Sequence, residues 1–457
     1  MALPYPLFPH HATHPDHLLA LGRWLGVMAP DPSRSLRVLE LGCAAGGNVL
    51  PMAVRQPHWE VVGIDLAAHE IERGQRLAAA AGASNLSLHV GDVGALGELG
   101  RFDVILAHGL LSWVPVSVAE AMLAWMGAAL APDGVAYLSY NVQAGWEARG
   151  ELRRWLLAQV EGGSEEERVA QARALLAEPP SDLAELAVTV EGESDAYLSQ
   201  DYLATFNEAF CYDALAERLG RHGLAPRCDA NGASPELGGP WLPDRRAAQA
   251  AVGDDPVAQG AWLDVQQGRA FRSTVVTRAG SLAWRGPVGL WLTTELRRVD
   301  GAPLDQPGPT AFASAWGVRT TIADPAVKRL LGTLADAWPV AVSFEAVGAE
   351  LGDHAVPILS VLVGSNLVHP RCRPGVAPQP GACPEVPADV RVLAAEGAAW
   401  AADQHHRGRR LDEADHALLP LLDGRRDEAA LREALGWSAE RLRRELASAW
   451  ERGLRLA

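Results

Sequence analysis

A short apolar strand followed directly by a glycine-rich turn constrains this 457-residue chain more than any other feature. Residues 36–41 read as a buried strand, the turn Gly-Cys-Ala-Ala-Gly-Gly-Asn occupies 42–48, and a helix is predicted to follow. Further strands, separated by helical segments, are predicted at 60–65, 86–90, 102–107 and 134–141. Because strands joined by helices form a mainly parallel sheet covered on both faces, we predict an α/β fold with a Rossmann-like domain over 1–150.

The rest of the chain is predicted to form three further units. Residues 151–300 have the pattern of an α+β region, in which 271–278 and 289–299 alternate with period two and predict an antiparallel pair. Residues 301–385 and 386–457 are predicted to be winged-helix-like modules. Asp324 and Pro325 begin a helix in the first of them, because an aspartate N-cap followed by proline favours a helix start.

The turn after the first strand predicts a nucleotide-type cofactor site. Glycines let the backbone approach a ligand closely, and the following helix presents unpaired N–H groups to an anion. A nicotinamide cofactor would favour the pattern G-x-G-x-x-G, but Ala44 stands at its third position. Glu40, two residues before the first glycine, favours S-adenosylmethionine instead, because an acid there can lie near the cationic methionine end.

Acids at the next strand ends support this interpretation. Asp65 can accept hydrogen bonds from both ribose hydroxyls, and Asp92 can meet an adenine amino group. An N-terminal segment is predicted to cover the cofactor as a lid. The complete set of predicted cofactor contacts is Tyr5, His14, Glu40, Gly42, Gly46, Asn48, Asp65, Leu66, Asp92, Val93 and His108.

Charge and composition restrict the partners. With 40 Lys+Arg against 56 Asp+Glu the net charge is −16, which disfavours binding to nucleic acid. No apolar run of about 18 residues and no signal peptide is visible, so membrane insertion is not expected. The five scattered cysteines favour a reducing cytoplasm. We expect no metal site, because prolines interrupt the histidine-rich stretch His10, His11, His14 and His17.

Several segments resemble one protein family. They are Thr13-His14-Pro15-Asp16, Glu40–Asn48, Ala107–Pro115 (AHGLLSWVP), Tyr140-Asn141 with Gly145-Trp146, Tyr197–Leu203, Phe271–Thr274 and Leu419–Gly424. With these segments the chain resembles class I S-adenosylmethionine-dependent methyltransferases and, more narrowly, the bacterial protein-lysine methyltransferases that carry a methyltransferase regulatory domain. The resemblance is strong over 1–150 and patchy after 235. It implies that residues 151–300 are a regulatory or substrate region.

The resemblance implies N-methylation of a protein or peptide side chain, with lysine as the default acceptor. Two departures bear on the acceptor: Leu111 stands where relatives usually carry an aromatic residue, and 142–144 lack the relatives' aromatic or leucine followed by proline. A side-chain amide of a ribosomal peptide is therefore an alternative acceptor. A non-catalytic cofactor-binding scaffold is a second alternative, and a nicotinamide oxidoreductase is disfavoured by Glu40 and Ala44.

The acceptor site is predicted at the carboxyl edge of the sheet, where such clefts form. Trp113, Tyr140 and Trp146 are predicted to line it, together with Ser112. Asn141 would hydrogen-bond the acceptor, and His108 would take a proton or contact the cofactor, so His108, Asn141 and Tyr140 are the catalytic candidates. The alternative is that the two tryptophans are core residues between domains. The oligomeric state is left open, with a homodimer as one alternative.

Overall fold

Five parallel strands form the centre of the fold, as the sequence predicts. The computed structural model describes residues 5–280, 287–299, 304–305, 307–314, 317–375 and 383–454. The strands are β1 (Arg37–Leu41), β2 (Glu60–Asp65), β3 (Leu86–Val90), β4 (Phe102–Ala107) and β5 (Leu130–Val142). They lie in the order β3-β2-β1-β4-β5, which confirms the Rossmann-like class. The strand order reverses between β1 and β4, and a ligand crevice forms outside the carboxyl ends at such a point.

Helices on both faces cover this sheet. They are α1 (Pro15–Trp24), α2 (Val49–Arg55), α3 (Ala68–Ala81) and α4 (Val116–Ala129). Strand β1 is buried from Val38 onwards, as expected for a strand covered on both sides. The His14 side chain caps α1 by accepting a hydrogen bond from the Asp16 backbone N–H, and Pro15 occupies the first turn. These local signals fix where the helix starts.

The sheet continues beyond the predicted boundary at residue 150. Strands β6 (Ala209–Phe210), β7 (Leu224–Asp229) and β8 (Phe271–Arg278) come from the region predicted as regulatory. Strand β8 is inserted antiparallel between β5 and β7. The predicted pairing of 271–278 with 289–299 is therefore wrong. The period-two pattern marks 271–278 as a strand correctly, but 289–299 forms two short strands in different sheets. The pattern also does not identify the partner of either segment.

A group of helices packs beside the carboxyl end of β5. The helices after β5 are α5 (Gln143–Gln159), α6 (Glu165–Ala177), α7 (Ala184–Glu191), α8 (Asp195–Tyr197), α9 (Tyr212–Arg221), α10 (Pro235–Gly238), α11 (Pro243–Val252) and α12 (Pro256–Gln267). Helix α8 runs into a π-helical turn at Leu198–Tyr202. Trp146, Leu156, Leu198 and Tyr202 share one apolar core here, which fixes the turn beside the central sheet.

The middle region combines short strands with three helices. Its elements are β9 (Trp291–Thr293), β10 (Arg297–Arg298), β11 (Thr310–Ala313), β12 (Arg319–Ile322), α13 (Pro325–Ala337), β13 (Val342–Ser343), α14 (Phe344–Leu351), α15 (Ala355–Gly364) and β14 (His369–Arg371). Asp324 caps α13 as predicted. Strand β9 pairs with both β13 and β14, so this small sheet uses a strand from before the predicted boundary at residue 301.

By length and apolar composition alone, Phe344–Gly364 is the one segment among the described residues that could cross a membrane. In the fold it is two helices separated by a 3₁₀ turn at Gly352–His354. Leu351, Leu359 and Leu362 belong to the main apolar core. The segment is thus a core element of the middle region.

The C-terminal module rests on the N-terminal domain. Its elements are α16 (Ala388–Ala395), β15 (Trp400–Ala402), β16 (Gly408–Arg410), α17 (Glu413–Leu418), α18 (Glu428–Leu435) and α19 (Ala439–Glu451). Asp389 of α16 is fully buried, and its Oδ2 lies 2.9 Å from Arg55 Nη2 of α2. This ion pair helps to place the β15–β16 hairpin next to the turn that follows β1.

Candidate active site

The turn after β1 is held in shape by backbone conformation and by Asp65. Gly42 and Gly46 have φ values of +73° and +74°, in the region that glycine adopts without strain. Asp65 ends β2, and its two carboxylate oxygens accept hydrogen bonds from the Ala44 and Ala67 backbone N–H groups at 2.8 and 2.9 Å. The predicted ribose-binding acid therefore lies directly against the glycine-rich turn.

Glu40 presents a carboxylate oxygen that lacks a partner in the described part of the chain. The residue is 3% exposed, and its Oε1 accepts a hydrogen bond from Asn48 Nδ2 at 2.7 Å. Its Oε2 is buried and unpaired among the described residues. Burial raises the pKa of Glu40 from its usual 4.5 to about 7, although the bond from Asn48 lowers it. A buried acid of this kind suits a ligand cation.

The N-terminal segment, residues 5–14, covers this turn. The His10 backbone N–H donates to Asn48 Oδ1 at 2.9 Å, and the His10 ring lies 3.7 Å from the His108 ring. His108 Nδ1 in turn lies 2.9 Å from the Tyr137 hydroxyl. Burial lowers the pKa of His108 to about 4. The imidazole is therefore neutral near pH 7, and one nitrogen is already engaged.

A cleft of about 600 Å³ joins this cofactor-type site to an aromatic region. We call it the central cleft. Besides the residues already described, its lining includes Trp113, Asn141, Trp146, Tyr197 and Asp201. Trp113 Nε1 donates to the Gln200 carbonyl at 3.0 Å, and the Trp146 ring lies 5.5 Å from the Tyr202 ring. The predicted tryptophans thus line the cleft and also contact the helical region after β5.

Three predicted residues lie away from the central cleft. Tyr140 is fully buried, and its hydroxyl lies 2.8 Å from Thr274 Oγ1. Ser112 is buried, and its Oγ accepts a hydrogen bond from the Asn141 backbone N–H at 2.8 Å. His14 caps α1 and lines a separate cavity next to His406. These three side chains therefore lie outside the lining of the central cleft, and their roles in contacting acceptor or cofactor stay predictions.

Three more of the predicted cofactor contacts, including the predicted adenine contact Asp92, are also outside the lining of this cleft. Asp92 is exposed and accepts a hydrogen bond from the Gly94 backbone N–H at 2.8 Å, beside a different cavity. Val93 is buried in the core. Leu66 is 72% exposed at the end of β2. Tyr5, Gly42, Asn48 and His108 do line the central cleft, whereas Gly46 shapes the turn behind it.

Four important residues were not among the predicted contacts. His10 and His406 reach Asn48 from the two ends of the chain, and Tyr197 and Asp201 enter the cleft from the helical region. Tyr197 and Asp201 lie inside the segment Tyr197–Leu203, which carries part of the family resemblance, so the resemblance could have identified them as site residues. Nothing in the sequence of the histidine-rich stretch distinguished His10 as a residue that contacts Asn48.

The histidines of the N-terminal stretch turn in different directions. His17 Nε2 lies 2.9 Å from the Ala230 carbonyl, while His10 faces His108. Over the described residues, no group of three or more histidine, cysteine, aspartate or glutamate side chains is arranged to hold a metal ion.

The fold and this site define a class of protein. A family profile described as "Methyltransferase domain" matches residues 38–134, and one described as "PKMT, C-terminal winged helix domain" matches residues 383–449. The N-terminal domain is therefore a class I methyltransferase domain whose cofactor is S-adenosylmethionine. Glu40 lies beside the glycine-rich turn with a buried carboxylate oxygen that has no partner among the described residues, and this fits that cofactor. The winged-helix prediction for the C-terminal module is confirmed.

Similar proteins are known in Rickettsia. The fold matches the structure of PKMT2 from Rickettsia typhi with a TM-score of 0.82 at 20% identity, covering 99% of this chain and 100% of that one. The same protein in complex with AdoHcy gives a TM-score of 0.78 at 21% identity, over 94% and 90% of the two chains.

Two curated relatives come from Rickettsia prowazekii. Uncharacterized protein RP789 is 31% identical over 287 residues, which cover 60% of this chain and 51% of that protein. Uncharacterized protein RP028 is 28% identical over 229 residues, which cover 47% of this chain and 91% of that protein. This chain therefore spans about half the length of RP789.

Proposed function

We propose that this protein transfers a methyl group from S-adenosylmethionine to a side-chain nitrogen of a protein or peptide, with lysine as the first acceptor to test. The observation that carries the proposal is the continuity of the central cleft. One end holds Glu40 and Asp65 at the cofactor turn, and the other is lined by Trp113, Trp146 and Tyr197. Aromatic faces suit the stem and the cation of a lysine.

The cofactor end offers a specific set of contacts. Glu40 Oε2 would accept a hydrogen bond from the amino group of the methionine part, and the Asp65 carboxylate would accept hydrogen bonds from the ribose hydroxyls. When bound, S-adenosylmethionine supplies a methyl group on a sulfonium, and transfer to nitrogen forms a C–N bond while the C–S electron pair stays on sulfur. The neutral His108 ring adds no positive charge to the lining of the cleft.

The chain's own residues contribute chiefly alignment and exclusion of water. The N-terminal segment closes the cofactor turn through His10 and Asn48, and the helical region closes the acceptor side through Trp113 and Gln200. Positioning two reactants in this way contributes about 7–11 kcal/mol to such a reaction. No general base at His108 is required by this scheme.

The test is methyl transfer from a labelled donor. The protein is incubated with candidate proteins and with peptides encoded near its gene, and products are located by mass spectrometry. We expect label on lysine nitrogen, lost in Trp113→Ala and Asn141→Ala while affinity for AdoHcy is retained. Label on asparagine or glutamine nitrogen would support the amide alternative. Cofactor binding without transfer to any acceptor would support the scaffold instead.

We also propose a cytoplasmic location. All five cysteines lack a disulfide partner, which suits a reducing compartment. Fractionation of the native cells with detection of the chain tests this, and recovery outside the cytoplasm would contradict it.

A further inference from the structure

Three carboxylates line the central cleft, and they fall into two groups. Glu40 and Asp65 belong to the cofactor end. Asp201 belongs to the π-helical turn at Leu198–Tyr202 and lies among the aromatic residues at the other end. Insertions of π-helix occur frequently at functional sites. The cleft therefore has a negative group on the acceptor side that the cofactor contacts do not use.

Hydrogen bonds fix Asp201 in place. The Asp201 carbonyl accepts a bond from Asn207 Nδ2 at 2.8 Å, and Asn207 Oδ1 accepts one from Asn141 Nδ2 at 3.0 Å. The preceding residue, Gln200, is held through its carbonyl by Trp113 Nε1 at 3.0 Å. Asp201 is 8% exposed. These bonds hold the backbone carbonyls of Gln200 and Asp201, and the fixed turn thereby places the Asp201 carboxylate at the cleft.

We propose that Asp201 binds the acceptor as a protonated primary amine and thereby selects amines over carboxamides. Trp113, Trp146 and Tyr197 would then contact the alkyl stem. A hydrogen bond between an ammonium and a carboxylate is about twice as strong as a neutral one, so the charged acceptor gains more here than an amide. This inference rests on the proposed function and narrows its substrate class.

Asp201 also provides a destination for the proton that an ammonium must lose. The proton moves from nitrogen to the carboxylate, the freed lone pair bonds to the methyl carbon, and the C–S pair remains on sulfur. The pKa of Asp201 is raised to about 6, chiefly by burial and also by Glu193, although Asn141 and Arg149 act to lower it. Tyr5, Tyr197 and Tyr202 are further titratable groups near Asp201, and Arg149 is a basic residue in the lining of the same cleft.

The experiment measures binding, so it does not depend on knowing the natural substrate. The full-length protein is saturated with AdoHcy and titrated with N-acetyl-lysine methylamide or N-acetyl-glutamine methylamide, followed by ligand-observed NMR. We expect the lysine compound to bind more tightly. Its affinity should fall at least tenfold in Asp201→Asn and below about pH 6, and be largely retained in Asp201→Glu.

Glu193→Gln is the matched control, because it removes a nearby negative charge that does not line the cleft. Its affinity for the lysine compound should stay within about twofold of wild type. Equal affinity for the two compounds, no saturable binding of either, or an unchanged affinity in Asp201→Asn would overturn the inference. Failure of AdoHcy itself to bind would instead contradict the proposed function, and circular dichroism separates both from misfolding.

Discussion

His406 Nε2 lies 2.9 Å from Asn48 Oδ1, so a residue of the C-terminal winged-helix domain reaches the cofactor turn of the methyltransferase domain. Asn48 uses its amide nitrogen to hold Glu40 at 2.7 Å. Through Asn48, the two bonds connect the β15–β16 hairpin to Glu40, the acid expected to bind the cofactor's amino group. The C-terminal domain therefore positions the cofactor site.

Removing the hydrogen bond between His406 and Asn48 should weaken cofactor binding without unfolding the protein. In His406→Ala the amide of Asn48 loses a fixed partner, at a cost of about 1 kcal/mol for one hydrogen bond. We expect about fivefold weaker binding of AdoHcy by titration calorimetry. His416→Ala is the control: its Nε2 bonds the Ala398 carbonyl at 2.9 Å in the same domain. Equal losses in the two variants would show that the effect is general destabilisation.

Cofactor affinity should depend on pH through Glu40. Its pKa of about 7 lies above the usual 4.5, so the carboxylate is protonated on the acid side of pH 7 and cannot pair with the ligand's amine. AdoHcy affinity should rise from pH 6 to pH 8, with release of a proton on binding. Calorimetry in buffers of different ionisation enthalpy measures that release. Glu40→Gln should abolish it, and a persistent release in that variant would point to another group.

The contribution of Glu40 to folding stability depends on pH in the opposite direction to AdoHcy affinity. Because the folded, ligand-free protein holds the Glu40 proton more tightly than the unfolded chain, this residue favours folding most below pH 4.5. That contribution is lost as the pH rises through about 7. Bound AdoHcy should compensate, so its stabilising effect in thermal unfolding should grow between pH 6 and pH 8.

The central strands could be predicted because each is a local apolar run ended by a turn signal. The prediction of 36–41 differs from the observed β1, Arg37–Leu41, by one residue. The antiparallel insertion of β8 could not be predicted in the same way. Its partners β5 and β7 lie far away in the sequence, and no local pattern identifies them.

The site was predictable where it follows the strand ends and not elsewhere. Glu40 and Asp65 follow from β1 and β2, whereas Asp201 and His406 meet the site only through tertiary packing. Tyr140 and Asn141 are consecutive residues of β5, and consecutive side chains of a strand point to opposite faces. The sequence therefore already implied that both could not face one cleft, and the structure shows that Asn141 is the one that does.

Breaking the ion pair between domains should loosen the C-terminal module. Asp389→Ala leaves Arg55, whose side chain is 15% exposed, without its carboxylate. Breaking a buried pair costs about 3 kcal/mol or more, and we expect a lower urea midpoint by tryptophan fluorescence. Arg444→Ala removes an exposed contact with Glu445 and should change stability by less than about 1 kcal/mol. Similar urea midpoints for both variants would contradict a stabilising role for the ion pair between Arg55 and Asp389.

Adding one methyl group at Gly47 should separate the N-terminal segment from the cofactor turn. A Cβ there would lie 2.6 Å from Leu7 Cα and 3.0 Å from the Phe8 backbone nitrogen, and backbone atoms cannot yield as a flexible side chain can. In Gly47→Ala we expect about tenfold weaker AdoHcy binding, or ~1.4 kcal/mol, and faster proteolysis of the N-terminal segment. Gly220→Ala is the control: a Cβ there meets nothing within 4 Å, and alanine should stabilise α9 by up to about 1 kcal/mol. Wild-type affinity in Gly47→Ala would mean that the segment does not help to form the cofactor site.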